Sequence, residues 1–210
     1  MQSDEAISML MTMASLQDEH NVQVHAEWKE QGHDYYRAIW VECAEMLDHF
    51  GWKWWKKQEP DINQVKLELV DIWHFALSEL IRSGQLNESL GEELAMVESV
   101  KATPETFRKA VESLAISSLQ SRSFQMSDFT NAMRTLPMDL KELFSLYVGK
   151  NVLNRFRQDN GYKEGSYRKL WAGREDNEHL IEILESVSAE PEQMFNTIYQ
   201  QLEQRYSQEA

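Results

Sequence analysis

Near the N-terminus, Ile7, Leu10, Met11, Ala14 and Leu16 recur at the spacing of one helix face and predict a helix over residues 4–20. A second apolar stripe, Tyr36, Ile39, Trp40, Cys43, Met46, Leu47 and Phe50, predicts another helix, capped by Asp34 and ended by Gly51. Its inward face carries all seven. Trp52-Lys53-Trp54-Trp55-Lys56-Lys57 then reads as an aromatic and basic connector. Pro60 and Asp61 open a long helix that runs to Ser83, where Gly84 closes it. A connector of about ten residues is short, so these two helices are expected to pack antiparallel.

Residues 85–135 are patterned less clearly, with shorter helices expected to break at Gly91, at Thr103-Pro104 and across 121–127. They predict a more mobile insert within a single domain spanning residues 1–210. From about Pro137 a further helix carries Leu140, Leu143, Phe144, Tyr147, Val148, Val152 and Phe156 on one side. Gly161 and Gly165 mark a loop, and two last helices are expected over 177–189 and 191–207. No repeat, low-complexity tract or strand alternation interrupts this pattern. The fold class is all-α, a helical bundle.

Composition narrows the setting. Apolar residues make up 42% of 210 residues, enough for a sizeable core, and only four Pro and eight Gly break the chain. A net charge of −14 repels a nucleic-acid polymer but tolerates a small polyphosphate where cations are concentrated locally. The single Cys43 forms no internal disulfide and sits on an apolar face, which fits a structural thiol in a reducing cytoplasm. With no positively charged leader and no apolar run long enough to span a bilayer, a soluble intracellular protein is expected.

Four acids stand against this background. Glu42 with Glu45, and Glu68 with Asp71, are each spaced i, i+3, so each pair projects from one helix face. The second pair lies in Leu67-Glu68-Leu69-Val70-Asp71-Ile72-Trp73, a run oily enough to be buried. A buried carboxylate with no partner costs several kcal/mol, so something cationic is expected beside these groups. All-oxygen donors suit a hard ion such as Mg²⁺, whereas the bland alternative is pairing with Lys or Arg on a wet face.

Charge is also segregated. Residues 150–174 hold Lys150, Arg155, Arg157, Lys163, Arg168, Lys169 and Arg174 against Asp159 and Glu164, a local net charge of +5. Three glycines lie among them, and flexible backbone between cations suits a phosphate clamp; a solvated loop that balances acidity elsewhere suits it equally. Trp54 or Trp55 can stack on a base, or cap a helical core. His74 can bond a nucleotide or serve structure. Gln17 and Asn21, four residues apart, can read a base edge, although that spacing alone says little.

Several ordered motifs together resemble a known family. Glu42-x-x-Glu45 and Glu68-x-x-Asp71 are similar to the signature of the all-α nucleoside-triphosphate pyrophosphatases. Gly51-Trp52-Lys53-Trp54-Trp55-Lys56, Asp71-Ile72-Trp73-His74-Phe75 and Asn154-x-x-Arg157-Gln158-Asp159-Asn160-Gly161-Tyr162-Lys163-Glu164-Gly165 resemble the dimeric dUTPases within that superfamily. Tyr167-x-Lys169-x-Trp171-x-Gly173-x-Glu175-Asp176-Asn177 continues the match, which covers roughly residues 7–85 and 138–200.

The resemblance implies hydrolysis of dUTP, with dUDP as a further substrate, by a homodimer using two or more Mg²⁺ ions, with Mn²⁺ able to substitute. It places metal on Glu42, Glu45, Glu68 and Asp71, with Glu45 positioning the attacking water. Gln17, Asn21, Trp54, His74 and Asn154 are implied to line the uracil and deoxyribose pocket. Lys150, Arg157, Tyr162, Lys163, Lys169, Arg174 and Asn177 are implied to meet the phosphates. Competing readings are the same scaffold acting on dCTP or a broader range of nucleotides, a di-iron bundle, and a non-enzymatic helical adaptor. A di-iron bundle uses two Glu-x-x-His motifs, and only Asp71-x-x-His74 approximates one.

Overall fold

The expected ends of the second and third helices reappear, although the Asp34 side chain makes no capping bond and pairs with Arg37 at 3.0 Å instead. In the computed structural model, which describes residues 2–187 and 191–207, α1 is Ser3–Val24, α2 is Tyr35–Phe50 and α3 is Ile62–Ser83. The Asp61 carboxylate accepts from the backbone N–H of Gln64 and so caps α3. At the other end Gly84 adopts φ 68°, the left-handed conformation that terminates a helix cheaply only in glycine. Gly51 ends α2 with φ 90°, and its carbonyl accepts from Arg108 Nε and Nη2 at 2.9 and 2.8 Å.

The α2–α3 pair is antiparallel. The Arg82 guanidinium, near the end of α3, lies 6.0 Å from the Tyr35 ring at the start of α2. At the opposite end the Asp61 N–H donates to the His49 carbonyl at 3.0 Å. Val65, Leu67, Leu69, Val70, Ile72, Trp73, Ala76 and Leu77 of α3 are all fully buried. Each large apolar side chain so buried contributes about 1.5–3 kcal/mol, which is what drags Glu68 into the interior with them.

Two expectations need correcting. Trp40 is 39% exposed rather than inward, because the buried stripe of α2 is Ile39, Cys43, Met46 and Phe50, and Trp40 is turned about 100° from Ile39. Gly91 does not break a helix but sits buried inside α4, Glu88–Ala95. A Cβ there would come within 3.1 Å of Ile7 Cα and 3.2 Å of the Ala6 carbonyl, so the glycine allows α4 to lie close on α1.

The rest of 85–135 forms α5, Pro104–Ser121, capped by Thr103, and α6, Met126–Thr135. These elements are part of a core, with Phe107, Val111, Leu114, Phe129, Ala132 and Met133 buried; α5 packs on α2 and α6. Trp73 of α3 stacks on Phe129 with centroids 5.0 Å apart.

Two compact units share the chain, Met1–Phe144 and Ser145–Ala210, and α7, Leu140–Asp159, runs through the boundary. The second unit adds α8, Asp176–Ser186, and α9, Pro191–Ser207, around Phe156, Tyr167, Trp171, Tyr199 and Tyr206. It also contains a hairpin absent from the sequence pattern, β1 at Leu170–Trp171 with β2 at Arg174–Glu175. Ala172 and Gly173 turn it with φ 50° and 77°. Two-residue strands are too short to leave an alternation. α8 ends at Ser186, where Val187 turns extended, short of the expected end at 189, itself outside the described residues.

Candidate active site

Antiparallel packing brings the acids of α2 and α3 to the same level. Ligand atoms of Glu42, Glu68 and Asp71 all lie within 4.8 Å of one another. Glu68 is 5% exposed, because it projects from a helix buried on nearly every side. Burial, then the charge on Asp71, then a hydrogen bond and the charge of Glu68, and last the charge on Glu45 push the Glu42 carboxyl up to about 9. At neutral pH it therefore keeps its proton. His49 Nε2 stands 3.4 Å from Glu68 Oε1 on the outer side.

Such a donor set fits a divalent cation: three carboxyl groups in one small volume, with one held protonated by burial and by its neighbours. An ion would displace that proton and replace repulsion by attraction. Mg²⁺ usually takes one or two carboxylates plus substrate oxygens, so three nearby acids are enough. Glu45 is exposed and lies outside this group, one turn further along α2, although its charge still reaches Glu42. Cys43, next to Glu42 in the chain, is buried. Burial and Glu42 push its thiol up to about 12, so it offers no thiolate.

A second constellation lies along α1 and α3. Gln17 Nε2 donates to Asn21 Oδ1 at 3.0 Å, and Asn21 Nδ2 donates to Ser78 Oγ at 2.9 Å. Gln17 Oε1 lies 2.7 Å from His74 Nδ1, and Ser78 Oγ–H donates to the His74 carbonyl at 3.0 Å. Gln17, His74 and Ser78 are all buried. The structure thus joins three residues singled out in the sequence and adds Ser78. Nothing in the sequence marked Ser78, since a serine on an apolar helix commonly bonds its own backbone.

Trp54 is 89% exposed and Trp55 is also exposed, stacked edge-on to Trp52 and Trp54, so neither caps the core. The connector is nevertheless ordered. Gln58 Oε1 accepts from the backbone N–H groups of Trp52 and Lys53 at 3.0 and 2.8 Å, closing the turn beneath the tryptophans.

The cations of 150–177 form their own arrangement in the second unit. Arg157 makes a two-pronged contact with Asp176, Nε to Oδ2 and Nη2 to Oδ1, both 2.8 Å, and its Nη1 donates to Asn154 Oδ1 at 3.2 Å. Lys150, 2% exposed, donates to Asn177 Oδ1 at 3.0 Å. Tyr167 OH donates to Asp176 Oδ2 at 2.8 Å. Burial alone would raise the fully buried Asp176 carboxyl, but Arg157, Tyr167 and Lys150 together bring it below the ordinary range. Tyr162 and Lys163 are exposed, Lys169 meets Glu175 at 3.5 Å, and Arg174 meets Glu182 at 2.8 Å. Asp176 and Tyr167 are thus the keystones here. Along the chain they stand out only as members of a longer motif.

Among the described residues, no helix is long and apolar enough to cross a membrane. No curated protein matches the chain. A family model described as dUTPase matches residues 9–162, which takes in the acid group, the α1–α3 network and the start of the basic segment. The chain belongs to the dimeric all-α dUTPase family, a family of dUTP diphosphatases.

Proposed function

We propose that this protein hydrolyses dUTP, and dUDP as well, with Mg²⁺ held by Glu42, Glu68 and Asp71. Family membership supports dUTP as the substrate. The observation that carries the metal reading is the meeting of three carboxyl groups with ligand atoms within 4.8 Å of one another, where burial and the neighbouring acids hold the Glu42 proton in place. Bound there, Mg²⁺ would neutralise phosphate charge and favour ionisation of a nearby water. Mn²⁺ has the same oxygen preference and is expected to substitute.

Water cleaves the bridge between the first and second phosphates, its hydroxyl going to one side and its second proton leaving. Exposed and one turn from the group, Glu45 is suited to take that proton as a general base. Gln17, Asn21 and His74, with Trp54 and Asn154, recognise base and sugar in this reading. Lys150, Arg157, Tyr162, Lys163, Lys169, Arg174 and Asn177 meet the phosphates, since phosphoryl transfer depends chiefly on positioning and charge neutralisation. The protein acts as a homodimer.

Release of pyrophosphate from dUTP, dCTP, dTTP and UTP, and of orthophosphate from dUDP, with Mg²⁺ and after EDTA, tests the proposal. Release from dUTP that disappears with EDTA is expected; release unaffected by EDTA removes the metal. Glu45→Gln should lower turnover about 10²–10⁴-fold while nucleotide still binds. Near-normal turnover would remove Glu45 as the base.

A further inference from the structure

The network on α1 and α3 has a direction, and a backbone carbonyl sets it. A carbonyl only accepts, so the 3.0 Å contact between Ser78 Oγ and the His74 oxygen uses the one proton that Ser78 has. The 2.9 Å contact with Asn21 must then run from the Asn21 amide N–H₂ to Ser78 Oγ. That turns Asn21 Oδ1 towards Gln17, which has to donate through Nε2 at 3.0 Å. Gln17 Oε1 faces His74 Nδ1 at 2.7 Å and has only lone pairs to offer. The proton of that bond therefore sits on His74 Nδ1. In a neutral ring the lone pair is left on Nε2.

Tyr35 also stands against Ser78, and burial raises its phenol, so it stays neutral and adds no charge to the network. No alternative orientation of either amide satisfies all four contacts while Ser78 donates to the carbonyl.

We propose that Ser78 is a positioning residue for substrate recognition. Through Asn21 and Gln17 it holds His74 in the Nδ1–H tautomer, so that the imidazole presents an acceptor at Nε2 and selects a ligand group that donates. The inference rests on the reading of Gln17, Asn21 and His74 as base and sugar contacts. Two groups of dUTP have the required chemistry, the imide N–H of uracil and the 3′-hydroxyl of the sugar. Cytosine offers a lone pair where uracil has its imide proton.

Long-range ¹H–¹⁵N spectra of the ligand-free protein report the His74 tautomer directly. We expect Nδ1–H in the wild type, a shift towards Nε2–H in Ser78→Ala, and retention in Ser78→Thr, which keeps the hydroxyl. Nε2–H in the wild type, or an unchanged tautomer in Ser78→Ala, overturns the relay. With dUTP, Ser78→Ala should raise KM about tenfold, the worth of one misdirected hydrogen bond, and move kcat less than twofold. An unchanged KM, or a loss confined to kcat, overturns the role in recognition.

Competition against dUTP locates the donor. dCTP lacks the imide proton and 2′,3′-dideoxyuridine triphosphate lacks the hydroxyl. The inhibitor whose Ki does not respond to Ser78→Ala is the one missing the group that His74 binds. Equal tenfold responses from both overturn the acceptor assignment. If dUTP is not hydrolysed while the tautomer pattern holds, the functional reading fails and the relay stands.

Discussion

Two buried acidic settings in this molecule are built on opposite principles. Asp176 is surrounded by what a carboxylate needs: both oxygens on Arg157, a hydroxyl from Tyr167 and the charge of Lys150. Its pKa falls despite full burial. Around Glu42 burial and the charges of Asp71, Glu68 and Glu45 act together, and its pKa climbs to about 9. The first setting has its counter-charges within the chain. In the second the carboxyl groups crowd one another, and a divalent cation would replace that repulsion by attraction. Counting acids does not separate the two; asking what meets each oxygen does.

Removing a charge should therefore have opposite consequences in the two places. Asp176→Ala leaves Arg157 and Lys150 buried without their anion and should destabilise the protein by about 3–5 kcal/mol in urea denaturation. A loss below about 1 kcal/mol would show that this pair is not a structural keystone. Glu42→Gln should instead stabilise the metal-free protein at pH 9, by roughly several kcal/mol, while eliminating dUTP hydrolysis. At pH 4, where Glu42 is protonated in the folded chain and largely so in the unfolded one, the same variant should change stability little.

The pH dependence follows with a definite sign. Glu42 titrates near 9 in the folded chain and near 4.5 when unfolded, so between these values the folded state binds more protons. Its contribution to stability is greatest below about 4.5 and is lost as pH rises towards 9. The Tm of the metal-free protein should carry this falling component, and saturating Mg²⁺ should reduce it. A component that Glu42→Gln leaves in place would belong to other groups.

The smallest effect belongs to the exposed cations. Lys169 and Glu175 form a wet pair at 3.5 Å, so Lys169→Ala should change stability by less than about 1 kcal/mol. Its KM for dUTP should rise if it meets the phosphates, and unchanged kinetics would take it out of that role.

How much of this the sequence carried depends on the range of the interaction. The caps at Asp61 and Gly84, and the apolar run of α3, are local signals, and the helices end where those residues dictate. The convergence of Glu42 with Glu68 and Asp71 was legible because a short connector forces two helices antiparallel. Glu45 is exposed and falls outside the group while the equally spaced Glu68 and Asp71 both enter it, a difference that spacing along the chain does not carry. Trp40 misled because one step on a helix turns a side chain by about 100°, and an aromatic at the stripe's edge reads as core. Gly91 misled because close approach of two helices leaves the same mark as a break. Ser78, Tyr167 and Asp176 owe their partners to tertiary packing, which no spacing along the chain records.

The most direct test of the contrast is calorimetric titration of the ligand-free protein with Mg²⁺ at pH 7.5, in two buffers of different ionisation enthalpy. If the α2–α3 acids form a cation site with Glu42 protonated, binding releases a proton, the heats differ between buffers, and Glu42→Gln removes the difference. Heats that are the same in both buffers, or a buffer dependence untouched by Glu42→Gln, would contradict it.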